Sequence, residues 1–263
     1  MRALPYYTVL TFSDRAFSGN PAGVCLLDDW LNDEVMLRIA GESMAPATAF
    51  LIPDSDPLQL RWFTPVVEEE LCGHGTLGAA WVVLGELKPG TPRAVFQTRA
   101  GQLMVDRVGE VFTIDLPARP HSRVARSGNI DRAIGRRAAE HLSSAYHIAV
   151  LDTAREVAEL SPDLELVAKL DLPGLIVTAP GDEFNCDIVT RYFAPAKGIP
   201  EDHATGSAHT QIVPYWTQRL GKTSISARQL SPRGGAMICH HTEPHRIRLE
   251  AQAKMYLKGH IYL

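Results

Sequence analysis

The stretch RWFTPVVEEELCGHGTLGAAW, residues 61 to 81, decides how the rest of the chain is read. An aromatic run closes at Pro65. Three carboxylates, a cysteine and a histidine between glycines follow, and then an apolar segment. That order describes a strand, a loop and a helix start. Taken alone it is compatible with a nucleophile site, a metal site, an anion cradle or an ordinary strand-to-helix junction.

A second copy narrows the choice. Arg61-Trp62-Phe63-Thr64-Pro65 is echoed, 130 residues later, by Arg191-Tyr192-Phe193-Ala194-Pro195. Acidic residues follow in both places: Glu68, Glu69 and Glu70 in the first, Glu201 and Asp202 in the second. Each copy then reaches small residues that open an apolar segment, Cys72-Gly73-His74-Gly75-Thr76 and Thr205-Gly206-Ser207-Ala208-His209. Matched on the glycines, Cys72 answers Thr205 and His74 answers Ser207. The pattern predicts two similar halves related by an approximate twofold. Residues 1–116 form the first, with a tail from about 255 to 263 returning to it, and 117–254 form the second.

Working outward, short strands are expected at Val9–Phe12, Val24–Leu27, Ala49–Ile52, Leu58–Phe63, Ala94–Thr98, Leu103–Arg107 and Val111–Leu116. NDEVMLRIAGESM, residues 32 to 44, has helical spacing behind an Asn32 cap. In the second half, helices are expected at Ile130–Leu142 and Pro162–Leu170, and strands at Ala145–Leu151, Gly174–Thr178 and Cys186–Phe193. Pro117–Gly128 reads as the connection. The tail Arg246–Leu263 alternates as two closing strands would.

Composition bounds the function. A chain of 263 residues with 26 basic and 30 acidic side chains carries no electrostatic footprint for nucleic acid or an anionic membrane. No apolar run reaches the roughly 20 residues of a membrane span, and the start lacks the layout of a secretory signal. The four cysteines, Cys25, Cys72, Cys186 and Cys239, include no CxxC pair, which fits reduced thiols in the cytoplasm. His240, His241 and His245 lack paired metal-ligand spacing, and GxSxG, Walker and GxGxxG patterns are absent. A small-molecule partner is the expectation, with no metal and no cofactor.

The two helix starts supply the chemistry. Unpaired N–H groups and the positive end of the helix dipole attract anions, and Gly73, Gly75 and Gly206 let a ligand approach the backbone. Facing one another across a cleft, the two starts would hold a small carboxylate from both sides. Cys72 is either an activated thiolate or a buried filler. His74 is a general acid or base, or a capping histidine. Asp202 is an acid/base partner or a cap carboxylate, and Ser207 is a carboxylate donor or a cap. Among Glu68–Glu70, one is expected to orient the helix start.

The segments FSGNPAGVCLL, RWFTPVVEEELCGHGTLGAAW and RYFAPAKGIPEDHATGSAH resemble, in order and over almost the whole chain, the phenazine-biosynthesis PhzF-like family. The resemblance implies the diaminopimelate-epimerase-like fold, α/β with two pseudo-symmetric domains, each a curved barrel-like sheet around a central helix. It implies a cofactor-independent isomerase, commonly a homodimer, with its site between the halves. Related racemases oppose two cysteines. Here Cys72 is kept but the matching second-half position is Thr205, which argues against a symmetric two-thiol racemase. The family's proton shuttle is a glutamate in a segment like SETAF, and this chain reads Pro46-Ala47-Thr48-Ala49-Phe50, with Ala47 at that position. The matching His74, Asp202 and Ser207 remain, and His203 replaces the proline of EDPxTGS.

These features define the expected site: His74, Asp202 and His203 as the catalytic groups, with Gly73, Gly75, Thr76, Thr205, Gly206, Ser207, Ala47 and Cys72 around the substrate. Three functions fit. The first is an isomerase whose proton transfer has moved to His74, with Glu42 and His203 in reserve. The second is a non-catalytic carboxylate binder, and the third a one-base racemase or lyase built on Cys72. Asn20, Pro21, Phe63 and Tyr192 are further candidates to shape the pocket.

Overall fold

The apolar alternation of ALPYYTVLT becomes strand β1, Ala3–Thr11, in a computed structural model that describes residues 2–263. Then follow β2 (Asn20–Leu26), helix α1 (Asp33–Ser43), β3 (Ala47–Ile52), β4 (Leu58–Phe63), β5 (Glu68–Glu69), α2 (Gly73–Val82), β6 (Arg93–Thr98), β7 (Gly101–Val108) and β8 (Val111–Pro117). The chain divides into one unit reaching Asp115 and rejoined by Glu250–Leu263, and a second unit of Leu116–Leu249.

In the first unit, β1 is antiparallel to β2, which runs parallel to β3 with Ala22 opposite Ala47. Next come antiparallel β4, parallel β6, and antiparallel β7 and β8, while β5 pairs with the end of β4. α1 begins where the Asn32 side chain accepts the Glu34 N–H at 2.9 Å. It buries Met36, Ile39 and Ala40 in a core with Phe50 and Phe63. α2 has no polar face: Gly73 and Gly75 through Ala80 are all buried, as a helix surrounded by sheet requires. It packs on β1, β2, β3 and β7.

The second unit repeats the plan. Its elements are β9 (Ser122–Arg123), α3 (Gly128–Ile134), β10 (Glu140–Ser143), β11 (His147–Val150), α4 (Ala154–Ala158), α5 (Leu164–Ala168), β12 (Leu175–Pro180), β13 (Ile188–Ala194), β14 (Ile199–Asp202), α6 (Gly206–Leu220), β15 (Ser224–Gln229) and β16 (Gly235–Glu243). The long strand β17 (Arg246–Tyr262) closes the chain and carries it back to β1. β10 is antiparallel to β11; β11 is parallel to β12, then come antiparallel β13, parallel β15 and antiparallel β16. β14 pairs with β13 as β5 does with β4. α6 is the buried helix of this unit, from Ala208 to Thr217, and packs on β15 and β16. Each unit is therefore a mixed, barrel-like sheet around one buried helix.

Three expectations are corrected. The helix expected over 130–142 stops at Gly135, which takes a left-handed conformation (φ 68°), and Glu140–Ser143 is strand β10. The tail is a single 17-residue strand, since no turn-forming backbone interrupts 246–262. β15 and β16 lie in a region for which no elements were expected; Ser, Arg and Gln dilute their apolar alternation.

The buried helices leave no room for added atoms. A Cβ on Gly78 would stand 2.7 Å from the Ala22 Cβ, and neither backbone can yield without moving α2 from β2. Gly78→Ala is expected to destabilise by about 1–3 kcal/mol despite its better helix propensity. Denaturant unfolding checks this; an unchanged or higher midpoint would contradict the close fit.

Candidate functional site

Each buried helix starts from a strand that ends in the Arg-aromatic-Phe element, and the two approaches are built alike. In the first unit the Arg61 guanidinium grips Glu68 through two bonds, Nε to Oε1 at 2.7 Å and Nη2 to Oε2 at 2.8 Å. In the second, Arg191 grips Glu201 the same way at 2.6 and 2.8 Å. Each guanidinium lies over a phenylalanine of its own strand, Phe63 at 5.1 Å and Phe193 at 5.0 Å. Bidentate pairing of this kind fixes the hairpin that aims the loop at the helix. Glu68 thus anchors β4 to β5 and also meets Arg99, so it is not the group that orients the α2 start.

The N-caps correspond in conformation, Cys72 with φ −133°, ψ 101° and Thr205 with φ −120°, ψ 99°. Neither side chain caps its helix, and neither first turn contains an acidic residue. By contrast α1, α3, α4 and α5 are capped by Asn32, Ser127, Thr153 and Asp163. The α2 start therefore keeps the positive potential that the others neutralise, whereas the α6 start has the Asp202 carboxylate against its N-cap residue.

At the α2 start, Cys72 is buried, and its Sγ lies 3.4 Å from His74 Nδ1. Thr76 donates both its hydroxyl, at 2.7 Å, and its N–H, at 3.0 Å, to the Cys72 carbonyl. Gly75 packs so closely on the Trp62 indole that a Cβ there would lie 2.7 Å from Cδ1. Ala47 begins β3 and is 1% exposed.

At the α6 start, the Thr205 hydroxyl donates to Asp202 Oδ2 at 2.5 Å, and Asp202 Oδ1 accepts the His203 N–H at 2.9 Å. Gln229, 1% exposed at the end of β15, ties this turn together. Its Oε1 accepts from Thr205 N–H at 2.8 Å, while Nε2 donates to the Asp202 carbonyl at 2.8 Å and to Thr205 Oγ1 at 3.0 Å. Thr205 is thereby committed as a donor to Asp202 and is unsuited to act as a second proton carrier. The Ser207 hydroxyl makes no hydrogen bond among the described residues. His203 is half-buried, and burial pushes its pKa below the ordinary value, which favours neutral imidazole.

The expected residues thus gather into one turn in each unit: Cys72, Gly73, His74, Gly75 and Thr76 at α2, and Asp202, His203, Thr205, Gly206 and Ser207 at α6. Sequence reasoning missed Gln229, which reaches the turn through sheet pairing. It also missed His209, which is fully buried one turn into α6. His209 Nδ1 lies 2.8 Å from the Thr205 carbonyl, and burial lowers its pKa to about 4. The thiols of Cys25 and Cys239 belong to the core; burial raises Cys25 to about 12 and Cys239 in the same direction. Among the described residues, no cluster of three or more His, Cys, Asp or Glu is placed to hold a metal, and no helix is long and apolar enough to cross a membrane.

His209 sets a pH dependence. Its folded pKa lies below that of an exposed histidine, so between about pH 6.5 and 4 the unfolded chain binds the extra proton. The contribution is full above that window and lost as pH falls through it, by roughly 3 kcal/mol at most. His209→Gln should flatten the pH 4–6.5 limb of the stability profile measured by urea unfolding; an unaltered limb would exclude His209 as its source.

With this geometry in view, the phenazine biosynthesis-like protein family model matches residues 9–260. A Pseudomonas aeruginosa protein named as an uncharacterized isomerase is 40% identical over 260 residues, covering 99% of each chain. The crystal structure of a PhzF-family phenazine biosynthesis protein from Enterococcus faecalis superposes with a TM-score of 0.95 at 37% identity, covering 100% of both chains. A hydroxyproline epimerase from Agrobacterium vitis, solved with bound trans-4-hydroxy-L-proline, shares the fold alone, at TM-score 0.64 and 12% identity over 99% of this chain and 92% of that one.

Proposed function

Because the chain belongs to the phenazine biosynthesis-like (PhzC/PhzF) family, we propose that it is a cofactor-independent isomerase that moves a proton on a small carboxylate-bearing metabolite. The observation that carries this reading is the pair of helix starts without a capping side chain, each presenting polar side chains beside its first turn. Such a start binds a carboxylate and stabilises the enolate-like charge that forms when a neighbouring C–H loses its proton.

His74 is the proton carrier. Its Nδ1 faces Cys72 Sγ at 3.4 Å, so the substrate proton is exchanged at Nε2. The imidazole takes the proton from one carbon and returns it to another position, leaving the net charge of the substrate unchanged. Asp202 supports the reaction through its carboxylate, which accepts from the His203 N–H and the Thr205 hydroxyl, His203 offers a neutral ring, and Ser207 offers a hydroxyl to the substrate carboxylate.

The test is deuterium uptake from heavy water into a panel of small carboxylates and amino acids, read by mass spectrometry. Uptake into at least one compound is expected. Saturable binding of carboxylates with no uptake would replace the isomerase by the non-catalytic binder, for which Ala47 speaks. The Cys72–His74 contact favours a further possibility, a one-base racemase or lyase using the thiol. Substrate-protected inactivation by iodoacetamide would support the thiol; an active Cys72→Ser variant would exclude it.

A further inference from the structure

At the opposite end of α6 from Ser207 lies a groove of about 510 Å³, lined by His121, Arg123, Glu140, Tyr215, Gln218 and Arg219, all in the second unit. Twelve residues separate Ser207 from Arg219 along the helix, about 18 Å at the helical rise. The groove is therefore a separate place from the α6 start.

Its hydrogen-bonding capacity is lopsided. Glu140 is the only carboxylate in the lining, and one of its oxygens is engaged in hydrogen bonds. Oε1 accepts from the Tyr215 hydroxyl at 2.9 Å and from Arg219 Nη1 at 2.7 Å, while Oε2 is ion-paired with Arg123 Nη2 at 3.1 Å without hydrogen-bond geometry. Tyr215 is at once a donor to Glu140 and an acceptor from Arg219. A guanidinium has five N–H donors, so both arginines keep further ones after meeting Glu140. The Arg123 side chain is 77% exposed and that of Arg219 45%. The Gln218 side chain makes no hydrogen bond among the described residues. Buried His121 Nδ1 also lacks a partner there, in a ring set edge-on to Tyr215 at 5.6 Å.

Two guanidiniums against one carboxylate leave a net positive charge. Arg219 is held rigidly, its guanidinium 5.7 Å from the Tyr215 ring centroid and 5.4 Å from that of Trp216. The C-terminal end of α6 favours cations, but Arg219 in its last turn already answers that potential. From this we propose that the groove is a binding site for a small oxyanion, a carboxylate or a phosphate, taken between Arg123 and Arg219 with Gln218 as a further donor. Pre-organised, planar donors suit the paired oxygens of such a ligand.

The probes are citrate and inorganic phosphate, titrated calorimetrically at low ionic strength into the intact chain, and tungstate soaked into crystals and located by anomalous scattering. One of the two titrants should bind saturably. Arg123→Gln and Arg219→Gln should each weaken it by about tenfold or more, whereas Ser207→Ala should leave it unchanged. Tungstate should lie within hydrogen-bond distance of both arginines. Arg123 is exposed, so its variant folds even if Arg219→Gln does not. The proposal is overturned by no saturable binding, by affinity unaltered in Arg123→Gln, by tungstate seated only at the α6 start, or by tetramethylammonium binding there in place of the anions. Because Ser207→Ala touches only the proposed isomerase site, failure of that function and failure of this groove give different results.

Discussion

His74→Ala is expected to lower solvent-deuterium exchange into the substrate by about 10²- to 10⁴-fold, the range for loss of a positioned acid/base group. The effect is large because Ala47, 1% exposed, has a methyl group that cannot carry a proton in place of His74. Thr205 cannot take its place, since its hydroxyl is committed to Asp202 at 2.5 Å. Ser207→Ala should act differently, raising KM more than it lowers kcat, because a donor to the substrate carboxylate serves ground state and transition state alike. Full exchange retained by His74→Ala would sink the assignment. Cys72→Ser keeps the imidazole while removing the thiol 3.4 Å from Nδ1, and so separates a histidine base from a thiolate.

Arg191→Met is expected to destabilise the protein by about 3–5 kcal/mol, the cost of breaking a buried ion pair from one side. The side chains of Arg191 and Glu201 are 10% and 15% exposed, so the abandoned carboxylate cannot recover its water. The same guanidinium donates to the Leu160 carbonyl at 2.6 Å, which would lose its donor as well. The double variant Arg191→Met with Glu201→Leu should regain most of the loss, because no unpaired charge remains. Thermal unfolding would show a fall of roughly 10 °C for the single variant. A single variant within about 0.5 kcal/mol of the parent would show that the pair is solvated and contributes little.

The repeat at 61–65 and 191–195 was legible because the structure uses it twice for one purpose: an arginine stacked on the phenylalanine two residues on, gripping a glutamate beyond the loop. Helix α1 was legible from Asn32 and its spacing, and most first-unit strands from β-branched and aromatic runs bounded by turns. Residues 138–143 misled because AAEHL has helical composition, whereas the left-handed Gly135 had already ended α3. Strands β15 and β16 were illegible because residue type and burial do not alternate together: polar Gln229 is buried, while apolar Ala236 and Ile238 are exposed. At the site, the residues next to one another in sequence could be named from it. Gln229 could not, since it meets Thr205 only once β15 lies beside β13. The arginine partners of Glu68 and Glu201 were hidden for the same reason: the loops between them differ in length, so the glutamates do not align by position.

The rejoining of the first unit by Glu250–Leu263 has a consequence for the order of events during synthesis. β1 emerges from the ribosome well before its partner β17; Ala3 lies opposite Tyr262 and Thr11 opposite Ala253. The second unit is one uninterrupted segment and can close while the first still lacks its final strand. The usual order, N-terminal domain first, is thus reversed for completion. Hydrogen exchange on ribosome-stalled chains that end before Ala253 should show the amides of β11, β12 and β13 protected while those of β1 are not, with equal protection arguing against this order. Until residues 253–262 arrive, the nascent chain holds an open sheet edge at β1, the exposure that makes unfinished β-proteins prone to pairing with one another.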